Sequence, residues 1–324
     1  MALIDLIIPI YNQEKYIQRT LSALKELNSD IFNIILIDDG SIDNTALLIK
    51  KFIKNNKLFN FIYAHKENGG VSSARNFGVG ISTSKYIWFF DSDDLPNKDV
   101  NQIADDIKAN SEVDILCYSY DVFKVKNNEM IERCLFDKEN EILEKRKFIE
   151  KYSFFSNKND MSFIWNKIYK RDLVKANPFD ETLDLGEDRH FNLRVFSSNG
   201  FAFLSRKKIY KYFVYGENTL SSSITYKKNI TDKEIVNNLN ISLLSGEKSV
   251  NDAKSQHIYD KMIFLSILGN NDIGKKYLSE CKKYQISIFY RLSFKKIMML
   301  IFIFLGFGGN YFRIKDKVTS HLRK

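Results

Sequence analysis

The chain has little cysteine and little proline, and several common signatures are missing from it. Three cysteines in 324 residues (Cys117, Cys134 and Cys281) are odd in number and widely spaced. They form neither a disulfide framework nor a metal-ligand pattern, and they fit a reduced compartment. Three prolines exclude long proline-rich linkers. No Gly-x-Gly-x-x-Gly occurs, so the dinucleotide fingerprint is absent. No Gly-x-x-x-x-Gly-Lys-Ser/Thr occurs either, which removes the P-loop. The first nine residues, Met-Ala-Leu-Ile-Asp-Leu-Ile-Ile-Pro, lack the basic start and long apolar stretch of a signal peptide. They read as a buried strand that begins at once. There is no Ser-His-Asp or Cys-His set, no internal repeat, and no low-complexity segment apart from a basic tail.

With 44% hydrophobic and 27% charged residues, the composition suits an ordinary packed core. The net charge of +9 is local. Residues 282–324 hold ten Lys or Arg and one Asp, whereas residues 1–96 hold ten basic and eleven acidic groups. A near-neutral body with a basic tail is not a nucleic-acid binder.

Along residues 1–120, short apolar runs alternate with helical periods. Strands are expected at 3–10, 33–37, 59–64, 86–90 and 113–120, and helices at 13–27, 43–55, 70–81 and 97–110. This alternation implies an α/β fold with a mainly parallel, Rossmann-like sheet flanked by helices. Beyond Tyr120 a helix is expected at 140–152, another at 186–198, and a strand or hairpin at 201–215. From about Ile230 the chain reads as mostly helical. The expected domains are therefore 1–229, divided into halves 1–120 and 121–229, and a helical region 230–324.

Polar clusters fall where strands end: Tyr11-Asn12, Asp38-Asp39-Gly40-Ser41, and Asp91-Ser92-Asp93-Asp94. Ligands of such sheets bind beyond those ends. Three acids within 91–94 repel one another unless a cation or hydrogen-bond donors satisfy them. Oxygen ligands suit Mg²⁺ or Mn²⁺, although an acid before Leu95-Pro96 also suits a helix N-cap. The turn Asn68-Gly69-Gly70 enters a helix whose first turns carry Arg75, and free backbone N–H groups there, with Arg75, could hold a diphosphate or order a nucleotide site. Glu187 and Asp188 open another helix about 100° apart, so one of them can address an acceptor hydroxyl as a base. Acids in a first helical turn are also plain helix stabilisers. Trp165 offers a face for a sugar ring, and core packing explains it equally well.

Together, Ile8-Pro9-Ile10-Tyr11-Asn12, Ile37-Asp38-Asp39-Gly40-Ser41-x-Asp43, Asn68-Gly69-Gly70-x-Ser72-x-Ala74-Arg75 and Asp91-Ser92-Asp93-Asp94 resemble family-2 glycosyltransferases of the GT-A fold. Trp165-Asn166-Lys167 and Gly186-Glu187-Asp188 look like the acceptor half of capsule- and lipopolysaccharide-type members. The resemblance covers roughly residues 3–215. It implies transfer of a hexosyl or N-acetylhexosaminyl group, with inversion, from a nucleotide-sugar (UDP above others) to a saccharide or lipid-linked acceptor, assisted by Mn²⁺ or Mg²⁺. By the same resemblance, Pro9, Tyr11, Asn12, Asp39, Arg75, Asp91 and Ser92 would hold the nucleotide-sugar, with Asp39 on the base. Asp93 would ligate the metal, with Asp91 and, if the loop turns, Asp94. Asp188 would be the catalytic base with Glu187 as the fallback, and Trp165 and Lys167 would meet the acceptor. The family's Arg or His beside a serine-rich lid has no counterpart between Tyr212 and Tyr226, although the serines are present at 221–223.

Two other readings remain at this point. A nucleotidyltransferase would carry a Gly-rich, basic loop after the first strand, where this chain has Tyr11-Asn12-Gln13-Glu14. A non-catalytic partner in polysaccharide assembly would not need the acids at 91, 93 and 188. The tail segment 297–312 is uncharged and apolar with basic flanks. As a helix of ~24 Å it is short of the ~30 Å hydrocarbon core. It is expected to lie in the interface of the cytoplasmic membrane face, or else to pack on protein.

Overall fold

In the computed structural model, the described residues are 2–56, 60–133, 136, 140–152, 162–215, 226–245, 247–267 and 272–286. The chain divides into two compact units, 1–222 and 223–324.

The first unit is built on one mixed sheet. Its strands are β1 (Ile4–Ile10), β2 (Phe32–Asp39), β3 (Phe61–Lys66), β4 (Tyr86–Phe89), β5 (Leu95–Pro96), β6 (Ile115–Lys124), β7 (Glu129–Arg133), β8 (Glu141–Glu144), β9 (Lys167–Lys170) and β10 (Phe201–Val214). The order is β3-β2-β1-β4-β9-β6-β10-β5, with β7 on β6 and β8 on β10. The quartet β3-β2-β1-β4 is wholly parallel. The expected parallel character stops there: β9 runs antiparallel to both β4 and β6, and β10 is parallel to β6 but antiparallel to β5 and β8.

Helices α1 (Ile17–Leu24), α2 (Thr45–Asn55), α3 (Val71–Ile81), α4 (Ile103–Ala109), α5 (Lys145–Tyr152), α6 (Arg171–Lys175) and α7 (Glu187–Ser197) complete the unit. α1 buries Ile17, Thr20, Leu21 and Leu24, the i, i+3, i+4, i+7 stripe of an amphipathic helix. α3 packs against β1 and β2, and it can do so because residue 78 is glycine. A Cβ there would stand 2.5 Å from Ile7 Cγ2. The close approach keeps α3, and Arg75 on it, tight against the strand ends.

Three expectations need correction. Residues 13–16 precede α1 rather than belonging to it. The segment 97–110 is a 3₁₀ turn, Val100–Gln102, followed by α4. The segment 140–152 begins as strand β8 before turning into α5. In β8, Glu141-Ile142-Leu143-Glu144 pairs with Phe201–Leu204, and this pairing overrides the helical period.

The second unit contains α8 (Tyr226–Leu243), α9 (Glu247–Ile267) and α10 (Ile273–Lys283). Ile258, Met262, Tyr277 and Cys281 form its apolar centre. Lys261 Nζ bridges Glu234 (2.7 Å) and Glu280 (3.0 Å). Among the described residues no helix is long and apolar enough to cross a membrane. The apolar tail 297–312 and the serine-rich segment 217–223 lie outside the described residues, as does Cys134.

Candidate active site

Because β1, β2 and β4 are parallel neighbours, their carboxyl ends deliver residues 11–12, 40–45 and 91–94 to one edge of the sheet. The first two loops are laced together. Asn12 N–H donates to Ser41 Oγ (3.0 Å) and Ile42 N–H donates to Asn12 Oδ1 (2.9 Å). Glu14 accepts from Asn44 while its own N–H reaches Asp43. Asn12 takes φ +51°, in the left-handed region that asparagine tolerates. Tyr11 is left 45% exposed on this edge.

The two acids ending β2 are both buried and both engaged. Asp38 accepts from Tyr63 Oη (2.8 Å), Ser41 N–H (2.9 Å) and His65 Nδ1 (3.0 Å). Burial alone would raise its pKa, but the Ser41, His65 and Tyr63 hydrogen bonds hold it lower than usual. Asp39 accepts from Lys66 Nζ (2.7 Å), Gly69 N–H (3.0 Å) and Gly70 N–H (2.8 Å). The N–H groups of Gly69 and Gly70 are therefore spent on Asp39 and are not free for a diphosphate. Gly70, at φ +87°, takes a backbone that favours glycine and turns the chain into α3.

Arg75 is the hub of the site. It is 3% exposed and touches three carboxylates brought from two distant elements. Its Nη1 donates to Asp188 Oδ1 (2.7 Å) and Glu187 Oε1 (3.2 Å) at the start of α7, and its Nη2 lies 3.6 Å from Asp91 Oδ1. The resemblance has Arg75 helping to hold the nucleotide; in this structure it gathers the acids. Gly186, at φ +79°, sets the angle at which α7 arrives.

Three carboxylates on one guanidinium leave an excess of negative charge, and the proton affinities reflect it. Burial pushes the Asp91 carboxyl up to about 6; Asp93 and Glu187 add repulsion while Arg75 pulls the other way. Asp188 is held well above the usual carboxylate range by burial, against the pull of Arg75 and with added repulsion from Glu187 and Asp91. For Arg75 burial acts to release its proton, but Asp188, Glu187 and Asp91 more than offset that and hold it more firmly.

The acid loop does turn: Asp94 N–H donates to Asp91 C=O (3.3 Å). The turn aims Asp94 inward, where Oδ2 accepts from Tyr210 Oη (2.7 Å) and Oδ1 from Phe213 N–H (2.7 Å). Burial, together with Asp91 and Asp93, holds Asp94 well above the usual range. With both oxygens committed, Asp94 does not fit a metal-ligand role. Asp93 instead fastens the turn through its carbonyl, which accepts from Arg19 Nη2 and from Tyr215 Oη (3.0 Å). Its carboxylate is bonded to no other side chain among the described residues. Ser92 is buried within the turn.

A divalent cation is implied by the family resemblance. Among the described residues no three His, Cys, Asp or Glu side chains converge into a cage. Mg²⁺ and Mn²⁺ commonly take one or two carboxylates and complete their shell with substrate phosphate oxygens. Asp93, seconded by Asp91, fits that donor set.

The two residues expected to meet the acceptor lie in the core. Trp165 is 2% exposed and stacks on Tyr210 (4.4 Å, 13°) and Tyr212 (5.4 Å, 18°), with Tyr120 edge-on at 4.6 Å. Its carbonyl accepts from Trp88 Nε1 (2.6 Å). Lys167 is 0% exposed, and its ammonium donates to Phe163 C=O (2.6 Å) and Asn166 Oδ1 (2.9 Å). Neither side chain has a face left for a sugar. The contacts that sequence reasoning missed are Arg19, Tyr210, Phe213 and Tyr215. Only the alternation of tyrosines at 210 and 212 hinted at a shared face.

Residues 5–176 match the family description "Glycosyl transferase family 2", just over half of the chain. The uncharacterized glycosyltransferase EpsJ of Bacillus subtilis (strain 168) is 30% identical over 200 residues, covering 60% of this chain and 56% of that protein. The minor teichoic acid biosynthesis protein GgaB of the same organism is 27% identical over 287 residues, covering 85% of this chain but 29% of that protein. The chain thus spans about half, or less, of the length of the curated relatives it matches. Among solved structures, S. aureus TarS 1–349 in complex with UDP-GlcNAc superposes with a TM-score of 0.67 at 19% identity, covering 99% of this chain and 92% of that one. The mannosyltransferase PcManGT of Pyrobaculum calidifontis, in complex with GDP-Man and Mn²⁺, superposes with a TM-score of 0.56 at 13% identity, covering 92% and 78%. These likenesses show that the α/β fold is the GT-A fold, and with the family match over residues 5–176 they lead to one conclusion: the chain belongs to glycosyl transferase family 2.

Proposed function

We propose that this chain transfers a sugar from a nucleotide-sugar, UDP-linked above others, to a saccharide or lipid-linked acceptor in surface polysaccharide synthesis, with inversion at the anomeric carbon. The observation that carries the reading is the convergence of Asp91, Glu187 and Asp188 on Arg75, beside a turn whose Asp93 carboxylate is bonded to no other side chain among the described residues. A hexosyl or N-acetylhexosaminyl donor suits it. TarS was solved with UDP-GlcNAc, and GgaB is named for teichoic acid biosynthesis.

In this reading Asp188 takes the proton of the acceptor hydroxyl as that oxygen attacks the sugar carbon, while the nucleoside diphosphate leaves on the opposite side. A base works best with a pKa near the working pH, and the raised pKa of Asp188 moves it in that direction. Arg75 holds Asp188 in place and offsets part of the repulsion among Asp188, Glu187 and Asp91. Pro9, Tyr11, Asn12 and Ser92 lie along the edge where a nucleoside and its diphosphate would rest. Asp39 supports that edge by fixing the glycine turn. Mn²⁺ or Mg²⁺, when bound, would neutralise the charge developing on the leaving diphosphate, and Asp93 with Asp91 would hold it. The basic, apolar tail would keep the enzyme at the inner membrane face, near a lipid-linked acceptor.

A panel of nucleotide-sugars with Mn²⁺ tests the reading. Donor turnover by the parent should fall by a factor of about 10²–10⁴ in Asp188→Asn and be lost in Asp93→Ala, with folding retained. Full turnover in both variants would sink it, and conversion of the nucleotide-sugar with added pyrophosphate to nucleoside triphosphate and sugar 1-phosphate would point to a nucleotidyltransferase. Proton NMR of the first-formed product reads the anomeric outcome. Deleting 286–324 should release the protein from the membrane fraction.

A further inference from the structure

Two elements grip the turn 91–94 from outside the acid cluster. From α1, Arg19 Nη2 donates to Asp93 C=O and to Tyr215 Oη (2.6 Å), and Thr20 Oγ1 donates to Asp94 C=O (3.4 Å). From the end of β10, Tyr215 Oη donates to the same Asp93 carbonyl (3.0 Å), while Phe213 N–H and Tyr210 Oη hold the Asp94 carboxylate. The Arg19 guanidinium lies 4.2 Å from the Phe213 ring centre, and the Tyr16 ring lies 4.5 Å from that of Tyr215. α1 does not need Arg19 for its own packing, because its buried stripe is Ile17, Thr20, Leu21 and Leu24. The arginine leaves that stripe and reaches a carbonyl 74 residues away.

We infer that Arg19 and Tyr215 form a positioning pair that fixes the main chain of Asp93, so that its carboxylate meets a cation-bound diphosphate without first being ordered. This rests on the proposed function, in which Asp93 addresses that group. Both side chains act on one carbonyl and on each other. A planar, stacked guanidinium can donate to two oxygens at once, which an ammonium on a flexible stem reproduces poorly. The same contacts tie the acid turn to the exit of β10, so a displacement of Tyr215 reaches Asp93 directly.

The test is calorimetric binding of UDP in the presence of Mn²⁺, with GDP or CDP substituted if the parent binds UDP weakly, alongside donor kinetics. Arg19→Met should weaken binding about tenfold and raise donor KM by a similar factor. At saturating Mn²⁺ kcat should change much less, and the unfolding midpoint without ligand should barely move. Tyr215→Phe, which keeps the ring on Tyr16, should weaken binding in the same direction. The double variant should be no weaker than Arg19→Met within about twofold, because the two residues share one target. Arg19→Lys should recover part of the loss, and it replaces Arg19→Met should the latter not fold. Parent-like binding and KM in the Arg19 variant, while Asp93→Asn loses binding, overturns the inference alone. Parent-like binding in Asp93→Asn, or a parent that binds none of the three nucleotides, overturns the functional reading and this inference with it.

Discussion

Replacing Arg75 with methionine removes the cation that, among the described residues, Asp91, Glu187 and Asp188 share. The contacts are 3.6, 3.2 and 2.7 Å, the Arg75 side chain is 4% exposed, and the acid side chains are 32%, 17% and 19% exposed. At a separation of about 4 Å and an effective dielectric near 20, each pair attracts by about 4 kcal/mol before solvation is counted. Burying the guanidinium takes several kcal/mol of that back. Removing one partner of such a buried group costs about 3–5 kcal/mol, because the others stay buried without compensation. For a unit of this size that is a fall of about 10 °C in Tm.

The loss depends on pH in a direction fixed by the acids. Carboxyls whose pKa is raised by folding, as at Asp91 and Asp188, bind more protons folded than unfolded. Stability therefore falls as pH rises from the unfolded value near 4 through the folded value, about 6 for Asp91, and levels off above it. Without Arg75 these values rise further. The Tm deficit of Arg75→Met relative to the parent should be full at pH 8 and less than half as large at pH 5, read by circular dichroism at fixed ionic strength. An equal deficit at both pH values, or none at either, would falsify the charge account and leave Arg75 as a packing residue.

The remaining predictions separate support from chemistry. Asp94→Ala should cost about 2–3 kcal/mol by stranding Tyr210 Oη and Phe213 N–H, whereas Asp94→Asn, which can satisfy both, should stay within about 1 kcal/mol and keep most of the donor turnover that Asp93→Asn loses. Asp5 accepts hydrogen bonds from Ser82, Thr83, Ser84 and Asn33. Burial alone would raise its pKa, but those bonds hold it below the usual value. Its contribution is therefore present above pH ~4 and lost as pH falls through the folded value; Asp5→Asn should cost about 2–3 kcal/mol at pH 7 and flatten the acid limb of an unfolding curve. Gly78→Ala should cost about 1–3 kcal/mol through overpacking against Ile7, measured by urea denaturation. Trp165→Phe should lower Tm while leaving acceptor KM unchanged, and a raised acceptor KM at unchanged Tm would restore the indole as a sugar contact.

The parallel quartet was legible because each strand is a largely apolar run closed by polar residues, so the type of β1 to β4 and their succession along the chain follow from local pattern. The clustering of acids at one edge follows from the same parallel order. What could not be read depends on partners distant in sequence. β8 is a strand because Phe201–Leu204 pairs with it, although its local period is equally helical. Lys167 looks solvent-facing among Trp165, Ile168 and Tyr169, yet its ammonium is satisfied inside by Phe163 and Asn166. The fates of Asp93 and Asp94 differ only because α1 and β10 reach them from far along the chain. The acids themselves were findable from sequence; which oxygens remain available was not.

The place of β9 in the sheet also bears on how the polypeptide reaches this state during synthesis. β4 ends at Phe89, and the strand that pairs with its second edge begins only at Lys167. While the ribosome makes the intervening segment, the quartet can assemble with one flank of its backbone amides and carbonyls still unmatched, a template for pairing with another nascent chain. A product terminated near residue 150 would keep that flank open for good, and such truncations should collect in inclusion bodies where the longer polypeptide does not.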